Sequence, residues 1–274
     1  MARILALSSQ VAFGTVGLAV SVPALQGLGH EVIALPTVLL SSHPGYGRFA
    51  GEHIAPDNLE QMLDALAANG WLHRVDAVLT GYLPTPRHVQ VAAGAIARVR
   101  AANPPALVVC DPICGDHPEG LYLDAEIPAA IGELLFPLCD LATPNAFELS
   151  WYAGQTVASP QEAVDAARRL GVPAVLATSV PASANRLATL LVSETTVRTC
   201  HVPRQDGAPH GTGDLLTALY LGHLLTGMEL GVALGRSVSA VDLAIALSRG
   251  RDELSLAHAG AIWAQAEPLP TEAI

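Results

Sequence analysis

Short apolar runs alternate along the whole chain with longer stretches of helical period, and several of the runs are apolar on both faces, as in Ala106-Leu107-Val108-Val109-Cys110. A strand can bury both faces only where helices cover both sides of its sheet. That coverage belongs to mostly parallel α/β sheets. The expected strands are Ile4–Ser8, Val32–Pro36, Val75–Thr80, Ala106–Cys110, Leu138–Ala142, Ala174–Thr178, Leu187–Val192 and Thr196–His201. The expected helices lie near Gly17–Leu28, Asp57–Ala68, Arg87–Ala102, Ile127–Phe136, Asn145–Ala153, Pro160–Leu170, Asp214–Leu225 and Glu229–Leu247. No helix separates the last two strands, so Ser193-Glu194-Thr195 reads as a hairpin turn and the pair as an antiparallel sheet edge. No repeat, low-complexity segment or linker interrupts the pattern. The expectation is one α/β domain over residues 1–274, a three-layer sandwich with a central, mostly parallel sheet.

Composition narrows the chemistry. The 274 residues are 51% hydrophobic, ample for a sizeable core, and only 4% aromatic, so that core is built from Ala, Leu and Val. All fourteen basic residues are arginine, and with twenty-five acids the net charge is 14 − 25 = −11. A chain without lysine has no Walker A lysine, no protein-kinase strand lysine and no Schiff-base lysine. Any phosphate must be held by backbone N–H groups, arginine or a metal. The acidic balance argues against nucleic acid as a partner. The apolar start, Met1 to Leu7, is too short for a secretory signal, and no run approaches the ~20 apolar residues of a membrane span. A cytoplasmic location without a membrane partner is expected. Cys110, Cys114, Cys139 and Cys200 match neither a zinc pattern nor a disulfide framework and read as buried thiols.

In a doubly wound sheet, ligands bind beyond the C-terminal strand ends. The segment Gly211-Thr212-Gly213-Asp214 precedes a long apolar helix. Its glycines leave N–H groups bare at a helix start, which makes an anion hole without lysine. Asp214 in the first turn could orient an attacking alcohol and take its proton, or be an ordinary helix-start residue. Asp111 before Pro112 could hold a magnesium-bound water or merely open a turn. Asn145 and Glu148 suit a hydrated Mg²⁺, and the same spacing is a capping box. Ser9, in a turn feeding a helix with Gly14 and Gly17 nearby, could bond a small polar ligand, with Val16 as an apolar wall. Tyr82 could stack on a flat ring. His43-Pro44-Gly45-Tyr46 reads first as a turn, and His210 as an exposed loop histidine. No histidine pair has metal-ligand spacing, and no G-x-S-x-G elbow supports a hydrolase.

Together these segments resemble the pyridoxal kinases of the ribokinase-like superfamily, in order and over nearly the whole chain: Ile4-Leu5-Ala6 to Gly14, Gly81-Tyr82-Leu83, Cys110-Asp111-Pro112, Gly120-Leu121-Tyr122, Pro144-Asn145 with Glu148, and Gly211-Thr212-Gly213-Asp214. The resemblance implies ATP-dependent phosphorylation of the 5′-hydroxyl of pyridoxal in vitamin B6 salvage. By position, Asp214 resembles the catalytic base and Gly211, Thr212 and Gly213 its anion hole. Ser9, Val16, His43 and Tyr82 resemble vitamer contacts. Asp111, Tyr122, Thr143, Asn145, Glu148, Thr178, Ser179 and Thr212 resemble the ATP contacts, with Asp111 and Glu148 reaching Mg²⁺ through water and Tyr122 in a flap over ATP. A K⁺ requirement and a homodimer are also implied. Three positions depart from the family: Gln10 for a histidine, Leu18 for an asparagine and Pro44 for a threonine. A hydroxymethylpyrimidine kinase of the same superfamily usually has Cys where Asp214 stands. A non-catalytic vitamer-binding protein is the rival from another class.

Overall fold

The computed structural model describes residues 1–256, 263 and 265–273. Its strands are β1 (Arg3–Phe13), β2 (Glu31–Ser42), β3 (Gly51–His53), β4 (Ala77–Thr80), β5 (Leu107–Cys110), β6 (Gly115–Asp116), β7 (Gly120–Leu121), β8 (Leu141–Ala142), β9 (Ala174–Ser183), β10 (Arg186–Ser193), β11 (Val197–Pro203) and β12 (Thr271–Ala273). The helices are α1 (Leu18–Gly27), α2 (Pro56–Ala68), α3 (Pro86–Ala102), α4 (Glu126–Leu134), α5 (Ala146–Ala153), α6 (Pro160–Arg169), α7 (Thr212–Leu225) and α8 (Leu230–Leu247). One ten-stranded sheet runs in the order β12-β11-β10-β9-β8-β5-β4-β1-β2-β3, and β6 pairs with β7 as a separate hairpin. From β9 through β2 every pairing is parallel.

The two-faced burial anticipated from sequence is visible residue by residue. Ile4 and Ala6 of β1 pack with α1, α7 and α8 on one side of the sheet. Leu5 and Leu7, the alternating set, pack with α2, α3 and α4 on the other. Helices α5 and α6 cover β9 and β10, where Val175 and Ala177 meet Leu149 and Val164. All four cysteines are buried and free.

Four expectations need correction. The antiparallel part is larger than one edge pair: β9, β10, β11 and β12 pair antiparallel in succession, and β3 closes the opposite edge on β2. The strands missed, β3, β6, β7 and β12, are two or three residues long and lack the apolar run that marks a buried strand. The strand expected at Leu138–Ala142 begins only at Leu141, because Phe136-Pro137-Leu138 form a 3₁₀ turn. Helix α8 is, by length and composition, apolar enough to cross a membrane, contrary to the reading that no segment comes close. Its Ala233, Leu234 and Val238 instead belong to the core shared with α7.

Asp140 fixes the spacing between the strands that lead to the site. Its carboxylate accepts from the Val108 N–H at 2.7 Å and from Arg100 at 2.8 Å. Its own N–H donates to the Val108 carbonyl at 2.9 Å. The Asp140→Ala variant is expected to lose about 1–2 kcal/mol in urea unfolding, mainly through the orphaned Val108 N–H rather than the half-exposed ion pair. Asp140→Asn, which keeps an acceptor, is expected to recover most of that loss.

Candidate active site

The parallel strands end at one rim, and α7 starts there. Gly211 precedes α7 in the left-handed region (φ 89°), and no side chain caps this helix end. A Cβ at Gly211 would lie 1.8 Å from the Thr15 carbonyl oxygen, so only glycine allows the two turns to meet. The amides of the first turn are thereby left free for an anion.

Asp214 enters from that first turn and accepts a hydrogen bond from the Gly17 N–H. Gly17 is the second close-approach position. It has φ 56°, and a Cβ there would lie 2.3 Å from Ser9 Oγ and 2.4 Å from the Ser9 carbonyl oxygen. Ser9, Gly17 and Asp214 therefore form one stack. Ser9 was expected in a turn; it lies inside β1, which continues past a register shift between Ser8 and Gln10 to Phe13. The turn itself begins at Gly14.

Asp111 follows β5, with its N–H donating to the Thr80 carbonyl at 2.8 Å. Its carboxyl is hydrogen-bonded to Thr143, and Thr143 Oγ1 lies 2.9 Å from Thr217 Oγ1 on α7. A cavity of about 10 Å³, the space of one water, lies between Asp111 and Asp214 and is also lined by Ser8, Ser21 and Thr217. Asn145 and Glu148 do form a capping box on α5. Glu148 also accepts from the Cys114 N–H at 3.0 Å, and the Asn145 amide donates to the Gly115 carbonyl at 2.8 Å. The pair thus caps a helix and anchors the base of the β6–β7 hairpin.

Electrostatics in this rim are one-sided. Burial raises Asp214 to about 6. Burial raises Glu148 to about 8 against three backbone N–H donors that pull the other way. Asp111 is pushed well up by burial, then by Glu148 and Asp214. None of the ion pairs among the described residues involves these three acids. Hard oxygen donors with uncompensated charge suit a divalent cation such as Mg²⁺.

The other predicted residues fall around this centre. Thr178 donates its N–H to the Pro144 carbonyl at 2.9 Å and forms a bridge with Asn145. Ser179 beside it has φ 54°, the one positive-φ non-glycine residue among those described. Tyr122 follows the β6–β7 hairpin, is 54% exposed, and donates its N–H to the Cys114 carbonyl at 3.1 Å. Tyr82 is half-buried, its N–H donating to Ser8 Oγ at 3.1 Å. Val16 is buried in the turn. His43 caps a 3₁₀ turn (Pro44–Tyr46) and stacks on His210 with ring centroids 4.2 Å apart. His210 is exposed in its loop, as expected, and the stack sets it against the wall formed by the His43 turn.

Three features had no signal in the sequence. The Gly17 N–H donor is one. A cavity of about 430 Å³ between the end of β11 and the last turns of α8, lined by Arg204, Gln205, Asp242 and Arg249, is another. The third is Glu253, 238 residues from the Thr15 it binds.

An open α/β sheet that sets bare helix-start amides over a half-buried aspartate has the build of the ribokinase-like kinases. The sequence profile of the phosphomethylpyrimidine kinase family matches residues 26–258. The chain is 34% identical to the pyridoxal kinase PdxY of Corynebacterium diphtheriae, over 87% of this chain and 87% of that protein. It superposes on the pyridoxal kinase from Entamoeba histolytica with a TM-score of 0.94 at 26% identity, over 100% of this chain and 99% of the other. It also superposes on the pyridoxal kinase from Leishmania donovani in complex with ADP and pyridoxamine, with a TM-score of 0.94 at 27% identity and 99% of both chains covered. The chain belongs to the pyridoxal kinases.

The raised carboxyls make a stability prediction. Glu148, at about 8, and Asp214, at about 6, bind protons more tightly folded than unfolded. Their stabilising contribution is complete below the unfolded carboxyl range and is lost as pH rises through those values. The Tm of the metal-free protein is expected to fall between about pH 5 and about pH 8, and added Mg²⁺ to recover more of it at the upper end than at the lower.

Proposed function

We propose that this chain transfers the γ-phosphoryl group of ATP to the 5′-hydroxyl of pyridoxal and related B6 vitamers, giving pyridoxal 5′-phosphate, with Asp214 as the base. The observation that carries the reading is Asp214 itself. It is held by the Gly17 N–H at the mouth of the free amide turn, and burial raises it to about 6. A base with that value is largely ionised at neutral pH yet can still accept a proton as the acceptor oxygen attacks.

The step balances simply. The bond from the vitamer oxygen to phosphorus forms, the bond from phosphorus to the ADP leaving oxygen breaks, and the hydroxyl proton passes to Asp214. Thr212, Gly213 and the Gly211 turn supply N–H groups to the charge that develops on phosphorus oxygens. Asp111 and Glu148 would hold Mg²⁺ through water, and a bound Mg²⁺ would neutralise phosphate charge that no lysine can offset. Thr143, Asn145, Thr178, Ser179 and Tyr122 face the triphosphate, and we assign the base of ATP to the 430 Å³ cavity beside Gln205 and Asp242. Ser9, Val16, His43 and Tyr82 face the pyridine ring.

The Leishmania donovani enzyme has been solved with ADP and pyridoxamine and with ADP and pyridoxine, which supports a nucleotide and a vitamer in one cleft here. The profile match named for phosphomethylpyrimidine kinase keeps a hydroxymethylpyrimidine kinase as the second reading. Asp214, where those enzymes usually carry Cys, favours the vitamer. We further propose that the chain acts as one kinase domain, as a homodimer, in the cytoplasm, and that K⁺ assists the phosphate side.

Asp214→Asn is expected to lower turnover about a thousandfold or more with little change in ATP affinity. A near-normal rate would remove Asp214 from the mechanism. Turnover of pyridoxal, pyridoxine, pyridoxamine and hydroxymethylpyrimidine side by side, with and without K⁺, ranks the acceptors.

A further inference from the structure

Glu253 lies in the segment after α8, outside every motif of the kinase reading. Its carboxylate is shared between two loops. One oxygen, Oε2, accepts from the Thr15 N–H at 2.7 Å and from Thr15 Oγ1 at 2.9 Å. The other, Oε1, accepts from the Tyr46 hydroxyl. Thr15 Oγ1 in turn accepts from the Leu254 N–H at 3.1 Å, and the Tyr46 hydroxyl also lies 3.2 Å from the Asp252 carbonyl. Phe13 and Tyr46 add an edge-to-face ring contact at 5.8 Å.

Each of the two loops reaches the site. The Thr15 carbonyl is the atom on which Gly211 rests, Val16 follows it, and Gly17 gives its N–H to Asp214. Tyr46 ends the turn that His43 opens, and His43 stacks on His210, the residue before Gly211. A carboxylate with one oxygen on each loop therefore sets the separation of the two walls between which an acceptor ring must fit. Charge-assisted hydrogen bonds of this kind are short and directional, which suits a spacer.

We propose that Glu253 is a positioning residue for the vitamer side of the site, a clasp that fixes the His43–Tyr46 turn against the Gly14–Gly17 turn. It touches neither substrate nor phosphate and acts through Thr15 and Tyr46. This rests on the vitamer-kinase reading, and its consequence is selective: opening the clasp loosens the pyridine pocket more than the nucleotide cavity beside Gln205 and Asp242, with whose lining residues Glu253 makes no hydrogen bond among the described residues.

The test compares Glu253→Ala, Glu253→Gln and Tyr46→Phe with the wild type. Glu253→Ala is expected to raise KM for pyridoxal about tenfold with KM for ATP changed less than about twofold. Glu253→Gln, which still accepts from Thr15 and can donate to Tyr46, is expected to recover most of that loss. Tyr46→Phe deletes one hydroxyl, leaves the Thr15 bonds in place and so keeps the test open if Glu253→Ala fails to fold; about a threefold rise in KM for pyridoxal is expected. Trypsin cleavage after the exposed Arg48 reads the clasp without catalysis, and is expected to quicken several-fold in Glu253→Ala and Tyr46→Phe. Unchanged pyridoxal KM and unchanged cleavage in folded variants would overturn the clasp, as would an equal rise in both KM values with a lowered Tm. A wild type that turns over no vitamer would sink the parent reading instead, and the Arg48 cleavage rates would then decide the clasp alone.

Discussion

The site depends on two turns approaching closer than side chains permit. Gly17 sits against Ser9, and Gly211 sits against the Thr15 carbonyl, with Cβ atoms excluded at both places. These contacts bring the start of α1 and the start of α7 to one point at the sheet rim. They put a backbone donor on Asp214 and leave the α7 amides with no internal partner. Neither helix could do this alone. A helix start with bare amides binds any anion, and a half-buried, desolvated aspartate by itself only costs stability. Joined, they place a carboxylate beside a turn of free amides that can hold an anion.

That arrangement concentrates acids where the fold offers no basic side chain. Burial raises Asp111, Glu148 and Asp214, Asp111 is raised further by the other two, and the five arginines that form ion pairs among the described residues form them elsewhere. The three acids therefore share the rim with no basic partner among the described residues, a setting that suits a divalent cation. On the proposed kinase reading, Mg²⁺ and the triphosphate would each leave charge uncompensated alone, which favours their binding together. Glu148 moderates the cost by receiving three backbone N–H groups, so a single side chain caps α5, ties down the β6–β7 hairpin and keeps a carboxyl at the rim.

Most of the scaffold could be read from periodicity, because burial on both faces leaves a mark in residues such as Leu5, Val78 and Val108. Of the strands that escaped notice, β3 and β12 are pairing edges three residues long, and their backbone bonds leave no hydrophobic trace. The polar residues at strand ends were legible as a group because the topology collects them at one rim. Ser9 was misplaced because a bulge extends β1 beyond its apolar stretch, and backbone irregularity has no residue-type signature here. Glu253 was invisible for a different reason. Its partners are an amide and two hydroxyls on distant loops, and a lone acid in a polar segment looks the same whether it clasps or is merely solvated.

The three departures from the family pattern do not fall alike. Leu18 is buried in the core beside Val20 and Leu25, so its side chain strengthens the α1 packing and offers nothing polar to a ring. The Gln10 side chain turns back to the Val11 carbonyl at 3.0 Å, along its own strand. Pro44 opens the 3₁₀ turn at a position where its missing N–H costs nothing, and it stiffens the loop that ends in Tyr46. On the proposed vitamer reading, two hydrogen-bonding side chains are thus missing from the ring side, and its wall is instead the Pro44 turn, the His43–His210 stack and the Glu253 carboxylate. A pocket built this way discriminates by shape more than by polar contacts. Shape alone separates ligands by about 1–3 kcal/mol per methylene-sized difference, so acceptors that differ in one small ring substituent would be separated by about 10–200-fold in kcat/KM and no further.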